Sequence, residues 1–297
     1  MRTWLSGIRA ACKQLLVQIA QIYFQPSAYT GLVILAALAW VRPGAALGMS
    51  LGGLSALLTS RLAAGRAGSE DARAGLWGYN ASLSGAGLLS LYTPDLALYA
   101  YVVCSSIVTT LMSRRWLAWG RLPLLTFPFV LTMWGASALQ HLFGASQSRL
   151  GCDSGLLGQV PCGVGQVAFI SEVLPSLAVW AAITIRSQAQ GCWLALGTAC
   201  GVMLSDVVAP GLSLPSMQTV GPAINMGLTA QGLTVFARGA RVRLLGIVAS
   251  ALLCYGLSSL LTRAGMRYFT FPFNLATWLM LSLSGWQPPA EPSDTRS

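Results

Sequence analysis

The tetrapeptide Thr126-Phe127-Pro128-Phe129 recurs unchanged as Thr270-Phe271-Pro272-Phe273, close to half a chain length later. Two further pairs of segments keep the same order and nearly the same spacing: residues 20–24 with 165–169, and residues 80–83 with 225–228. Three ordered matches at a spacing of about 145 residues indicate a duplicated unit. The sequence therefore predicts one domain made of two related halves, residues 1–148 and residues 149–297.

The composition indicates a helical integral membrane protein. Of the 297 residues, 55% are hydrophobic and only 9% are charged, whereas a soluble domain carries about 25% charged residues. The formal net charge of +10 comes from basic residues dispersed between apolar runs. That distribution is typical of the loops of a membrane protein rather than of a nucleic-acid-binding surface.

Each half contains six apolar segments, and several are too short to cross a bilayer alone or contain Pro and Gly. Short, interrupted segments at matching positions in two halves indicate broken helices around a central site. Two glycine pairs, Gly48 with Gly52 and Gly197 with Gly201, have the spacing that lets helices approach closely. We expect these pairs to serve packing within the chain.

The charge pattern predicts the topology. Basic residues at the N-terminus place it in the cytoplasm. If each half makes five full crossings and one half-length excursion, the second half is inverted and segment 144–160 lies outside. Cys152 lies in this segment and Cys162 is next to it. In an oxidising compartment the two could form a disulfide, although the sequence does not give the distance between them.

Few groups are available for catalysis or ion coupling. The chain has a single histidine, His141, and lacks phosphate-loop and nucleophile-elbow motifs. Of its eight acidic residues, only Glu172 and Asp206 could lie at membrane depth, and both are near predicted helix ends. We expect no enzyme activity, metal or cofactor, and passive transport of a neutral solute is favoured over ion coupling.

The repeated segments supply uncharged hydrogen-bonding groups and aromatic rings. Each half offers amides, a hydroxyl and a phenylalanine three residues beyond a glutamine, and proline in a membrane helix frees backbone carbonyls. The repeated side chains are Gln21 and Gln166, Phe24 and Phe169, Asn80 and Asn225, and Thr126 and Thr270. Each of them alone is explained by packing. Their recurrence in both halves instead favours a binding path for a small, planar, neutral, polar solute.

Three motifs resemble those of the bacterial and animal urea transporter family. Residues 75–83 resemble its Gly-Leu-x-Gly-Tyr-Asn-x-x-Leu segment, and residues 122–129 match its Leu-Pro-x-x-Thr-x-Pro-Phe motif. Residues 163–167 resemble the opening of its second repeat. The second half departs from the family pattern where Arg267 and Tyr268 replace a Leu-Pro pair.

The resemblance implies an all-α integral membrane protein with an inverted structural repeat. About ten transmembrane helices and two half-length pore helices are expected, with one pore in each subunit of a homotrimer. In such a pore the two glutamines bond or orient the solute, the phenylalanines and leucines form slot walls, and the threonines form the constriction. The corresponding residues here are Gln21 and Gln166, Phe24 and Phe169, Leu83 and Leu228, and Thr126 and Thr270.

The sequence thus predicts channel-like facilitated diffusion of urea across the inner membrane, with both termini cytoplasmic. The partners expected are urea, membrane lipids and further copies of the chain, but no nucleic acid. One alternative is a proton- or ion-coupled transporter of another small neutral amide, with Glu172 or Asp206 as the proton site. A membrane-embedded enzyme or a scaffold is the third class considered.

Overall fold

The computed structural model describes residues 2–64, 70–144, 152, 156–212, 220–264 and 266–287, and within these ranges every regular element is a helix. Most of the predicted outside segment 144–160, and the C-terminal residues 288–297, lie outside the described residues. The α-helices are α1 (Arg2–Ala20), α2 (Ala28–Val41), α3 (Pro43–Ala64), α4 (Glu70–Arg73), α5 (Tyr79–Leu91), α6 (Leu96–Trp119), α7 (Phe127–Ala138), α8 (Leu156–Gln166), α9 (Val173–Arg186), α10 (Gln188–Leu212), α11 (Gly221–Phe236), α12 (Ala240–Arg263) and α13 (Phe271–Leu283). Short 3₁₀ turns occupy Gln21–Tyr23 and Gln140–Leu142.

Two helices of the described ranges are long and apolar enough to cross a membrane, namely Leu96–Trp119 and Ala240–Ser258. The pair formed by α1 and α2 passes the same test as one span broken by a bend of 82°. Three shorter apolar helices accompany them, α7, α9 and α13. The described fold therefore combines long spans with short and broken ones.

Local sequence explains where α6, one of the two helices long and apolar enough to cross a membrane, begins and ends. The Asp95 carboxylate accepts a hydrogen bond from the backbone N–H of Leu98 at 2.7 Å, which caps the start of α6. At the other end Gly120 adopts a left-handed conformation with φ 68°, which a residue without a Cβ adopts at little cost.

The repeated prolines begin helices. Pro128 and Pro272 lie in the first turn of α7 and α13, where the missing N–H would have no partner within the helix in any case. The expectation that these prolines free carbonyls inside a helix is therefore wrong. Their role is to start the two short helices directly after Thr126 and Thr270.

The matched segments share unusual backbone conformations. Among the described residues, four non-glycine side chains have positive φ: Phe24 (57°), Leu125 (50°), Phe169 (64°) and Phe269 (47°). The phenylalanines at 24 and 169 each donate their N–H to the carbonyl of the repeated glutamine three residues earlier, both at 3.0 Å. Such conformations cost roughly 1–2 kcal/mol each for a side chain with a Cβ. Their occurrence at matched positions shows that the sequence matches extend to local structure.

Small residues bring the helices of each half together. A Cβ on Gly48 of α3 would lie 2.2 Å from the carbonyl oxygen of Gly85 in α5. In the second half a Cβ on Gly197 of α10 would lie 2.4 Å from the carbonyl oxygen of Met226 in α11. The prediction that the glycine pairs serve packing within the chain is confirmed at these two contacts.

Candidate functional site

Two buried asparagines hold the segments that lead into α7 and α13. The Asn80 amide donates to the carbonyl of Leu125 at 3.0 Å and accepts from the N–H of Phe129 at 3.3 Å. A side-chain amide in this position pairs both the carbonyl of a strained turn and a helix N–H that has no partner within the helix.

Asn225 makes the same pair of bonds in the second half. Its amide donates to the carbonyl of Phe269 at 2.8 Å and accepts from the N–H of Phe273 at 2.9 Å. These asparagines were expected to offer their amides to a solute. Because the described contacts engage both amide atoms with the backbone, their function is to fix the threonine that lies between each turn and its helix.

The two threonines meet. Thr126 and Thr270 precede the first residues of α7 and α13, and their hydroxyl oxygens are 2.6 Å apart. Both side chains are buried. A hydrogen bond of this length between hydroxyl groups joins matched positions of the two halves at one point.

A cavity of about 70 Å³ adjoins this contact on one side. A single water needs only about 10–15 Å³ on this measure, so a solute of a few heavy atoms fits. Three of the predicted site residues line it, and the remaining lining is mainly apolar. The lining residues are Phe129, Gln166, Val167, Phe169, Val220, Gly221, Ile224, Arg267, Tyr268, Phe269 and Thr270.

Phenylalanine rings from both halves pack against this cavity. Phe129 lies edge-on to Phe169 with ring centroids 6.3 Å apart, and to Phe269 at 5.9 Å. Gly87 leaves room for them, because a Cβ there would lie 2.8 Å from Cζ of Phe169. The aromatic group at this cavity is therefore Phe129, Phe169 and Phe269.

A second aromatic group repeats one contact of the first, because Phe24 and Phe273 match Phe169 and Phe129, and it adds Phe236. Phe24 lies edge-on to Phe273 at 6.2 Å and to Phe236 at 5.7 Å. Gly232, the match of Gly87, leaves the space here, since a Cβ would lie 3.3 Å from Cε2 of Phe273. In both groups the phenylalanine with positive φ in one half contacts the Thr-Phe-Pro-Phe segment of the other half.

The remaining predicted site residues lie outside the cavity lining. The Gln21 amide donates to the carbonyl of Ala74 at 2.7 Å, within its own half. Leu83 and Leu228 are fully buried in the main hydrophobic core. The structure thus brings Gln166, Phe169, Thr270 and Thr126 together and separates Gln21, Phe24, Leu83 and Leu228 from that cavity.

Comparison with protein-family models gives a match to the urea transporter model over residues 12–285, nearly the whole chain. The chain belongs to the urea transporter family. Its function is therefore the transport of urea across a membrane, and it is a multi-pass membrane protein rather than an enzyme. Comparison with individually curated proteins gives no significant match.

In this urea transporter both acidic residues considered for ion coupling, Glu172 and Asp206, have exposed side chains. Glu172 precedes α9 and accepts a hydrogen bond from the N–H of Ser171 at 3.0 Å. Asp206 is exposed on α10. Neither lines the cavity, and the described residues contain no group of three His, Cys, Asp or Glu that could hold a metal ion.

Two tryptophans that the sequence reasoning missed tie the halves of the urea transporter together. The indole N–H of Trp134 donates to the carbonyl of Arg267 at 2.8 Å, and that of Trp278 donates to the carbonyl of Pro123 at 2.9 Å. The signal was present, because Trp134 and Trp278 occupy matched positions after the repeated tetrapeptide. Since both bonds use backbone carbonyls, and Arg267 is the match of Pro123, the change from proline to arginine does not remove this contact.

A second missed feature is a network of buried amides near Phe24. Gln25 donates to the Gln190 side-chain oxygen at 2.6 Å, and Gln231 donates to the carbonyl of Tyr23 at 2.8 Å. These glutamines have no amide counterpart at the matched positions of the other half. Repeat matching could not have found them, because each of them lacks a counterpart in the other half.

Cys152 and Cys162 form a disulfide, with Cα atoms 6.1 Å apart. The sequence had left this pairing open. Cys162 lies inside α8, which ends at the site residue Gln166. The disulfide therefore attaches the chain before α8 to the helix that carries one side of the cavity.

Proposed function

We propose that the chain conducts urea by channel-like facilitated diffusion through a narrow uncharged slot, with Thr126 and Thr270 at its constriction. The observation that carries the proposal is the contact of these two buried hydroxyls, 2.6 Å apart. In this proposal the solute passes along the two aromatic groups described above, whose rings pack edge-to-face and supply apolar walls.

Desolvation is the main physical obstacle for urea. Each hydrogen bond to water that is lost without replacement in an apolar environment costs several kcal/mol, on the order of 2–7 kcal/mol. Uncharged hydroxyl and amide groups along the slot replace part of the hydration shell. Ions are rejected because removing their hydration costs far more than neutral groups can offset. Weak binding at each step keeps exit fast.

The proposed roles follow the matched positions. Gln21 and Gln166 bond or orient urea at the two ends, and Phe24 and Phe169 form the slot walls. Leu83 and Leu228 supply further apolar wall behind the threonines. Gln166, Phe169 and Thr270 have the strongest support, since they share one cavity.

The proposed architecture is an inverted repeat in which α7 and α13 are the half-length pore helices, within about ten crossings. The matched positive-φ residues, asparagine bonds and tryptophan bonds support the repeat. The Cys152–Cys162 disulfide supports an outer location for the segment before α8, in line with an inner-membrane protein whose termini are cytoplasmic. We also propose a homotrimer with one slot in each subunit.

The deciding experiment measures urea uptake by proteoliposomes while membrane potential and pH gradient are varied independently. We expect a flux that follows the urea gradient alone. A flux that stops without either gradient would exclude the channel-like mechanism in favour of a coupled transporter. In that case Glu172→Gln should abolish uptake, with Asp206→Asn as the matched comparison, whereas both variants of a channel retain most flux.

A further inference from the structure

The two threonines at the constriction have different surroundings, because only the second half places an amide beside them. Asn274 lies in α13 and is fully buried, and the matched residue of α7 is Val130, also fully buried. The Asn274 side-chain oxygen accepts from the Thr126 backbone N–H at 3.0 Å and lies 3.4 Å from the Thr126 hydroxyl. Its amide nitrogen donates to the Thr270 carbonyl at 3.1 Å.

The number of hydroxyl protons and acceptors at the constriction determines which threonine donates in the contact between them. Each hydroxyl has one proton and two lone pairs, and one of the two threonines must donate in the contact between them. Asn274 offers the Thr126 proton an acceptor, whereas the aliphatic side chain of Val130 offers none to Thr270. With Thr126 donating to Asn274 and Thr270 donating to Thr126, both protons are engaged. If Thr126 instead donates to Thr270, the Thr270 proton has no acceptor in the protein. It must then bond a solute or stay unpaired, and an unpaired proton is costly in a buried site.

We infer that Asn274 is a positioning residue that fixes the direction of the Thr126–Thr270 hydrogen bond. The constriction then presents hydroxyl lone pairs and no free hydroxyl proton to the solute. This inference deepens the proposed function and depends on it, since it specifies the solute class. Small planar molecules that lead with N–H groups are favoured over molecules of the same shape that offer fewer of them.

Urea and acetamide are the probes that separate these groups. They are planar, have the same number of heavy atoms, and differ by one NH₂ group exchanged for a methyl group. Uptake of each by proteoliposomes is measured with the flux of empty liposomes subtracted and the protein content matched. The wild type should carry urea several-fold faster than acetamide, and equal rates would overturn the inference without any variant.

The decisive variant is Asn274→Val, which copies the first-half residue. It should lower the urea-to-acetamide flux ratio roughly fivefold, because a free hydroxyl proton then serves the carbonyl that both solutes share. The double variant Val130→Asn/Asn274→Val moves the amide to the other threonine and fixes the direction in the opposite sense. It should restore the ratio to within about twofold of the wild type.

The outcomes distinguish this inference from the proposed function. If Asn274→Val changes both fluxes by the same factor, Asn274 only supports the fold and the inference is overturned. If the double variant leaves the ratio at the level of the single variant, the engagement of both hydroxyl protons by a neighbouring amide does not set selectivity, and the inference is overturned. Absence of urea flux in the wild type would instead contradict the proposed function itself.

Discussion

The Asn225 amide donates a hydrogen bond to the carbonyl of Phe269 at 2.8 Å, and so holds this bulky residue in a left-handed backbone conformation. Asn80 does the same for Leu125, but there the Tyr79 hydroxyl donates to the same carbonyl as well. Ile224 stands at the position matched to Tyr79 and has no hydroxyl to donate. The turn at Phe269 therefore depends more on its asparagine than the turn at Leu125 does.

Replacing either asparagine with leucine should destabilise the protein, and Asn225→Leu should cost more than Asn80→Leu. A buried group left without its partner costs about 1–3 kcal/mol, and the Tyr79 bond spares one such group in the first half. Thermal unfolding in detergent measures the order. Ser84→Ala, on the same helix as Asn80, is the control and should not lower the unfolding temperature, because its buried hydroxyl has no hydrogen-bond partner among the described residues to lose.

Removing either hydroxyl at the constriction should slow urea transport. Thr126→Val and Thr270→Val keep the side-chain shape but remove a polar group, and we expect a flux decrease of roughly tenfold for a hydrogen bond of about 1.4 kcal/mol. Stopped-flow uptake by proteoliposomes measures this. Thr132→Val is the matched control, since that hydroxyl only bonds the carbonyl of Pro128 in its own helix. An equal decrease in the control would show that the effect is general to α7.

Adding a methyl group at Gly87 should obstruct the slot. A Cβ there would lie 2.8 Å from Cζ of Phe169, so Gly87→Ala must displace that ring. The nearest ring atom at Gly232 is 3.3 Å away, and Gly232→Ala should have the smaller effect on urea flux. Gly256→Ala meets nothing within 4 Å and serves as the control. Unchanged transport by Gly87→Ala would place Phe169 outside the path.

Loss of the disulfide should lower stability. It closes a short loop of sequence separation 10, for which chain-entropy arguments give about 2–3 kcal/mol. The variant Cys152→Ser/Cys162→Ser should unfold at a lower temperature than the wild type, and a reductant should lower the unfolding temperature of the wild type alone. Cys104→Ser, which removes an exposed free cysteine, should leave it unchanged.

The repeat spacing carried most of the information that the sequence offered about the site. It singled out Thr126 and Thr270 as matched residues, and the family resemblance then placed both at one constriction. It did not predict the roles of Asn80 and Asn225. Those roles depend on left-handed turns at Leu125 and Phe269, and neither residue type indicates such a turn. Asn274 escaped notice for the opposite reason, since its counterpart Val130 is apolar and repeat matching discards such positions.

The crossed pairing of phenylalanines also bears on how the molecule can move. Phe24 contacts Phe273 at one aromatic group and Phe169 contacts Phe129 at the other, so each group contains rings from both halves. Movement of one half relative to the other would break both sets of ring contacts together. Such contacts oppose the rocking cycle of alternating-access carriers, and under the proposed channel mechanism we expect side-chain fluctuations, not movement of whole halves, to accompany solute passage.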